Sequence, residues 1–292
     1  MRFGASSRGW RMTEIAYYPG CVSRATGREY DISTRSVAKA LGIELIELED
    51  WSCCGATHVP SEALAVGLAA RNLTQSTLPV MTTCSICYSN LRTAILRLED
   101  NGMRARVNSV LERKYAGARV MHVVEMLSEA LKGREIPIKL NGIKVSPYYG
   151  CLLTRPGSGI DSPEHPRILE DLVRGLGAEP VESPLKMLCC GGPIFMPREE
   201  AALESTYHII KSAKRSGADA IMAVCPLCHL MLDAKQGAIE KRYGLDLRMP
   251  VLYVTQLVGI ALGLGPEDLA LEMNSVSPLP LLEKVYQSIA KE

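Results

Sequence analysis

Two adjacent cysteines followed by glycine occur twice in this chain, as Cys53-Cys54-Gly55 and as Cys189-Cys190-Gly191-Gly192. Three further cysteines surround each pair in a fixed order. Cys21, Cys53, Cys54, Cys84 and Cys87 form the first set, and Cys151, Cys189, Cys190, Cys225 and Cys228 form the second. Together they use all 10 cysteines of the chain. The closing Cys-x-x-Cys spacing is the same in both sets, whereas the long intervals differ. This is the signature of loop ends that converge while the elements between them vary. The repeat therefore requires two similar halves, each bringing five sulfurs together.

The chain has 292 residues, 47% of them hydrophobic and 22% charged. That is enough apolar material for a real core, so the cysteines are not needed as disulfide staples. Met1 to Arg11 contains arginines but no apolar signal segment, which predicts a cytoplasmic, reducing location. Metal or redox chemistry is then the natural use of the cysteines. Structural zinc takes four tetrahedral ligands, and five thiols exceed that number. Thiolates on neighbouring residues suit an iron–sulfur cluster, which spreads several irons over a few ångströms. Zinc in one half and thiol–disulfide chemistry by the cysteines themselves are the alternatives.

Both halves alternate strand and helix signals. In the first, strands are predicted at 14–18, 43–48 and 79–82, with helices at 33–41, 61–76, 90–99, 107–115 and 122–131. In the second, strands are predicted at 143–149, 179–182, 219–224 and 250–254. The helices there are predicted at 166–176, 198–215, 229–243 and 257–262, with an amphipathic one at 281–290. Tyr17-Tyr18-Pro19-Gly20-Cys21 parallels Tyr148-Tyr149-Gly150-Cys151. The cysteines fall at the carboxyl ends of the strands, where open α/β sheets hold their ligands. The expected architecture is α/β: two pseudo-symmetric repeats, each with a small, mainly parallel sheet and flanking helices. The expected divisions are a flexible tail at 1–12, a first domain at 13–135, a second at 143–262 and a helical tail at 266–292. A polar linker at 132–142 would join the halves.

The doubled Cys…Cys-Cys-Gly…Cys-x-x-Cys pattern resembles the tandem cysteine-rich (CCG) domains of the B subunits of heterodisulfide reductases. The resemblance covers about residues 13–260. It implies a noncubane [4Fe-4S] cluster in each domain, held by Cys21, Cys53, Cys54, Cys84 and Cys87 in the first and by Cys151, Cys189, Cys190, Cys225 and Cys228 in the second. It further implies an oxidoreductase acting on a sulfur group, with a disulfide such as CoM-S-S-CoB, or a related sulfur compound, cleaved between the clusters. The implied partners are the ferredoxin-like [4Fe-4S] protein and the flavin-containing protein of the same complex. The count of sites agrees independently, since a disulfide takes two electrons and iron–sulfur clusters deliver them singly. The competing reading is an electron-transfer CCG component of another complex, of the glycolate or lactate oxidase kind, without disulfide chemistry. A zinc-binding structural module is a third.

The chain itself offers no nucleotide fingerprint such as Gly-x-Gly-x-x-Gly after a strand, so electrons are expected from outside. Its net charge of +1 and lack of a basic run argue against nucleic acid. No apolar stretch reaches the ~18 residues of a membrane span. Arg155 and Arg24, in the loops after Cys151 and Cys21, are candidates for pairing an anionic substrate group. Lys186 and Arg198 flank the second cysteine pair as weaker candidates. His229 and His58 are candidates for a hydrogen bond to a cluster sulfur or a proton relay. His122, His165 and His208 read as structural, and Met187, Met196, Met222 and Met231 as core filling.

Overall fold

In the computed structural model of the protein, which describes residues 13–56 and 59–289, each half lays down a four-stranded parallel sheet. The first half runs β1 (Glu14–Tyr18), α1 (Gly20–Ser23), α2 (Arg28–Leu41), β2 (Glu44–Glu47) and α3 (Glu62–Leu73), then β3 (Val80–Thr82), α4 (Ser85–Arg97), α5 (Asn101–Val110), β4 (Val120–His122) and α6 (Val123–Ala130). The second runs β5 (Lys144–Tyr148), α7 (Ile168–Gly175), β6 (Glu179–Pro180), α8 (Glu199–Arg215) and β7 (Ala220–Ala223). It continues through α9 (Pro226–His229), α10 (Gln236–Tyr243), β8 (Val251–Tyr253), α11 (Val254–Ala261) and α12 (Leu279–Ile289). The strand orders correspond, β2-β1-β3-β4 and β6-β5-β7-β8.

Burial explains which strands are central. Ile15, Ala16, Tyr17 and Tyr18 are all buried, as are Ala220, Ile221, Met222 and Ala223. Such unbroken buried runs belong to parallel strands covered on both faces. Glu44 and Glu47 open and close β2, which lies on the sheet edge. In each sheet the chain changes direction between β1 and β3, or between β5 and β7. A crevice opens at the carboxyl ends of strands at such a switch point, and the first and last cysteines of each set sit there.

The halves are not independent. One apolar cluster joins Tyr17, Met81 and Leu127 to Val145, Met222 and Leu257; a second joins Tyr18, Leu73 and Leu91 to Tyr148, Ile210 and Leu232. α2 packs on α11, with Tyr30 stacked on Tyr253 at 3.9 Å between ring centroids. Ser33 and Thr255 share a buried hydrogen bond of 2.7 Å across the same contact. α12 covers the second half through buried Leu281, Leu282 and Val285, and Lys284 pairs with Asp219 at 2.8 Å.

Several expectations shift. β4 was not foreseen, because Val120-Met121-His122 runs without a break into the apolar first turn of α6. α4 begins at Ser85, so the first Cys-x-x-Cys is itself the opening turn of the helix. The single helix expected at 229–243 is interrupted by a π turn at Leu230–Ala234. The segment expected as a polar linker buries Ile136 and Leu140, and Ile138 donates to the Ala261 carbonyl at 2.9 Å. The expected tail at 1–12 lies outside the described residues, as does His58.

Candidate metal centre

All five cysteines of the first set line one cavity of about 280 Å³. All five of the second set line another of about 20 Å³. Corresponding features deliver them. Cys21 and Cys151 follow the central strands β1 and β5 and are exposed; the paired cysteines follow the edge strands. Cys84 and Cys225 are the N-cap residues of α4 and α9, and both are buried together with Cys87 and Cys228.

Local chemistry fixes this arrangement. The glycine after each pair has a left-handed backbone, with φ of +81° at Gly55 and +80° at Gly191. A Cβ there would meet the Cα of Ala65 at 3.2 Å or that of Ala202 at 2.6 Å, so only glycine lets the loop close on the following helix. The glycine before each first cysteine is constrained from the metal side: a Cβ on Gly20 or Gly150 would lie 3.2 Å from the sulfur of Cys87 or Cys228. Tyr18 donates to the Ser52 carbonyl at 2.8 Å, and Tyr148 to the Leu188 carbonyl at 2.6 Å. Each tyrosine thus ties the residue before a cysteine pair to its central strand. Asn90 donates to the Cys54 carbonyl, and Thr206 to the Cys190 carbonyl at 2.9 Å. The repeated tyrosine was visible in the sequence, but its partner was not.

The two Cys-x-x-Cys turns reach across the interface. Ile86 and Leu227 hold the same place in their turns, and each lines both cavities, together with Pro193. Ser85 donates to the Val224 carbonyl of the other half at 3.3 Å. Its counterpart Pro226 crosses the opposite way, and a Cβ added at Gly27 would lie 3.2 Å from it. The two turns therefore differ in chemistry but make the same crossing.

The thiols act on one another. A hydrogen bond from the Cys84 thiol reaches Cys225 across the interface, raising Cys84. Cys225 is held low by hydrogen bonds from Cys228 first and Cys84 second. In the first set, the Cys87 thiol lowers Cys54 to about 7. Cys189 is lowered by Cys151 and Cys190. Among the described residues, no three His, Cys, Asp or Glu side chains are placed to hold a single metal ion. The sulfurs instead line the two cavities, five to each. With five thiols and, among the described residues, no carboxylate or imidazole lining either cavity, the donor set fits a polynuclear iron–sulfur cluster in each half.

The charged candidates do not line the two cysteine cavities. Arg24 pairs with Glu47, with Asp31 at 3.8 Å, and lines neither cavity. Arg155 also lines neither. Lys186 is bound to Glu170 at 2.6 Å, and Arg198 is an exposed residue at the start of α8. His229 bonds the Val251 carbonyl at 2.9 Å and stacks on Tyr253, so its ring faces the inter-half contact. His122 caps α6, while His165 and His208 are exposed. Met222 and Met231 are buried as expected, but Met196 is 90% exposed.

The cysteine-rich domain (CCG) family matches residues 15–92 and 145–233. The chain is 36% identical over 281 residues to the 8-methylmenaquinol:fumarate reductase membrane anchor subunit of Wolinella succinogenes, covering 92% of this chain and 99% of that one. It is 31% identical to the B subunit of the ferredoxin/F(420)H(2)-dependent CoB-CoM heterodisulfide reductase of Methanosarcina acetivorans, covering 94% and 98%. A protein of Archaeoglobus profundus, named as similar to the heterodisulfide reductase B subunit, is 29% identical, covering 89% and 94%. Among solved structures, a hypothetical protein from Helicobacter pylori shares the fold with a TM-score of 0.77 and 16% identity. The match covers 91% of this chain and 52% of that protein, about half its length. Among the described residues no helix is long and apolar enough to cross a membrane.

Proposed function

The chain belongs to the tandem cysteine-rich (CCG) domain family that includes the B subunits of heterodisulfide reductases, and from that membership we propose that it is the catalytic, cluster-bearing component of a multi-subunit oxidoreductase that cleaves or forms a disulfide. The observation that carries this reading is the pairing of sites. Two complete five-cysteine sets line two cavities that share the wall of Ile86, Pro193 and Leu227. Bound at those thiols, two iron–sulfur clusters would supply electrons one at a time, which matches RSSR′ + 2e⁻ + 2H⁺ → RSH + R′SH.

The chain's own residues prepare the site in three ways. The glycines at 20, 55, 150 and 191 let backbone and helices close around the sulfurs. Tyr18 and Tyr148 hold the cysteine-pair loops to the strands. The apolar wall keeps bulk water from the buried cysteines. Cys21 and Cys151 are the exposed members of their sets, and in this reading substrate and electrons approach from their side. The donor is external: a ferredoxin-like partner, fed in turn by a flavin-containing one.

A second reading is favoured by the 36% identical relative named for a quinol:fumarate reductase. In it the same clusters pass electrons within another complex and no disulfide is touched. Anaerobic iron analysis with turnover separates the readings. We expect about eight irons per chain, from two [4Fe-4S] groups, and reduction of a disulfide by an artificial electron donor. Cys190→Ala is expected to lose about half the iron and all cleavage. A zinc-only, colourless protein overturns both readings. An iron-loaded protein that reduces no disulfide leaves the electron-transfer reading standing.

A further inference from the structure

Family and fold leave open what kind of disulfide reaches the cysteines, and the cavity walls bear on that. Beyond its cysteines, the larger cavity is faced by Val22, Ala56, Ile86, Pro193, Pro226 and Leu227, among other small residues. Among the described residues, no Asp, Glu, Lys or Arg lines it or its smaller neighbour. The few polar side chains present are already engaged within the protein. Ser23 shares a hydrogen bond with Thr83 at 3.4 Å, Ser85 donates to the Val224 carbonyl, and Tyr149 donates to Glu170. The candidate cations Arg24 and Lys186 are likewise taken, Arg24 by Glu47 and Lys186 by Glu170.

An anionic group entering here would leave water and meet no cation among the described residues that line the cavities. Burying a charge without a partner is costly. We propose that the substrate disulfide of this chain is uncharged next to its S–S bond, and that Val22, Ile86, Pro193 and Leu227 select for it by offering apolar surface in place of a cationic anchor. Any charge the substrate carries then stays outside, several bonds from sulfur. The proposal rests on the disulfide reading above, and deepens it by naming the substrate class.

Two disulfides of nearly equal size test it: neutral bis(2-hydroxyethyl) disulfide and dianionic dithiodiglycolate. Each is titrated anaerobically into the photoreduced, iron-loaded full chain while its EPR spectrum is followed. The neutral disulfide is expected to perturb the signal with a half-maximal concentration at least about tenfold lower than the dianion. An equal or stronger response to the dianion overturns the proposal and leaves the disulfide function intact. If neither compound changes the spectrum at millimolar concentrations, the disulfide function itself fails and the proposal falls with it.

Discussion

Gly191 shows how much of the site one residue holds. It combines a left-handed φ with a Cβ position only 2.6 Å from the Cα of Ala202. Gly191→Ala should therefore strain the backbone and push α8 from the Cys189-Cys190 loop, destabilising the protein by about 2–5 kcal/mol. Thermal denaturation and iron content check this; the variant should unfold earlier and lose iron from the second half. His122 gives a pH prediction. Burial holds its imidazole at about 4, while Nδ1 accepts from the Val124 amide at 3.3 Å. The unfolded chain, with an ordinary histidine near 6.5, binds the extra proton first, so stability falls as pH drops from about 6.5 toward 4. Between pH 7 and 5 the wild type should lose about 2 kcal/mol more than His122→Gln, measured by urea unfolding. At this scale the cysteines were legible because their spacing repeats. Arg24 and Arg155 line neither cavity, and the pairing of Arg24 with Glu47 was not readable from the sequence, because a charge there does not reveal its partner. Arg24 lies near Glu47 only after β1 and β2 pair.

At the scale of elements, α2 and α11 form the most specific junction between the halves. Their buried hydroxyls, Ser33 and Thr255, meet at 2.7 Å, and Tyr253 donates to Glu29 at 3.3 Å beside them. Thr255→Val should cost about 1–2 kcal/mol, because a buried hydrogen bond is lost while Ser33 keeps its bond to the Glu29 carbonyl. A double-mutant cycle with Ser33→Ala measures the coupling, and independent additive effects would show that the contact contributes nothing. Strands and helices were largely legible from apolar runs and glycine stops. The exceptions share one cause. β4 and the opening turn of α4 are short, and their residues suit either state, so tertiary pairing decides them. The crossing of the Cys-x-x-Cys turns was not legible at all, since no local pattern says which half a side chain will enter.

For the whole molecule, both apolar clusters draw residues from both halves. Unfolding of the iron-loaded chain should therefore be one cooperative transition, coincident by circular dichroism and visible absorbance, and two separated transitions would refute the shared core. The duplication itself was plain in the sequence, but the mutual dependence of its copies was not. That dependence reaches the site, because Ile86 helps to wall the second cavity and Leu227 the first. A solitary repeat would be an unfinished vessel, whereas two identical repeats facing one another would each supply the other's missing side. Serine at 85 and proline at 226 hold the same position in the two halves, one polar and one rigid, so each copy closes the other's site without being its duplicate.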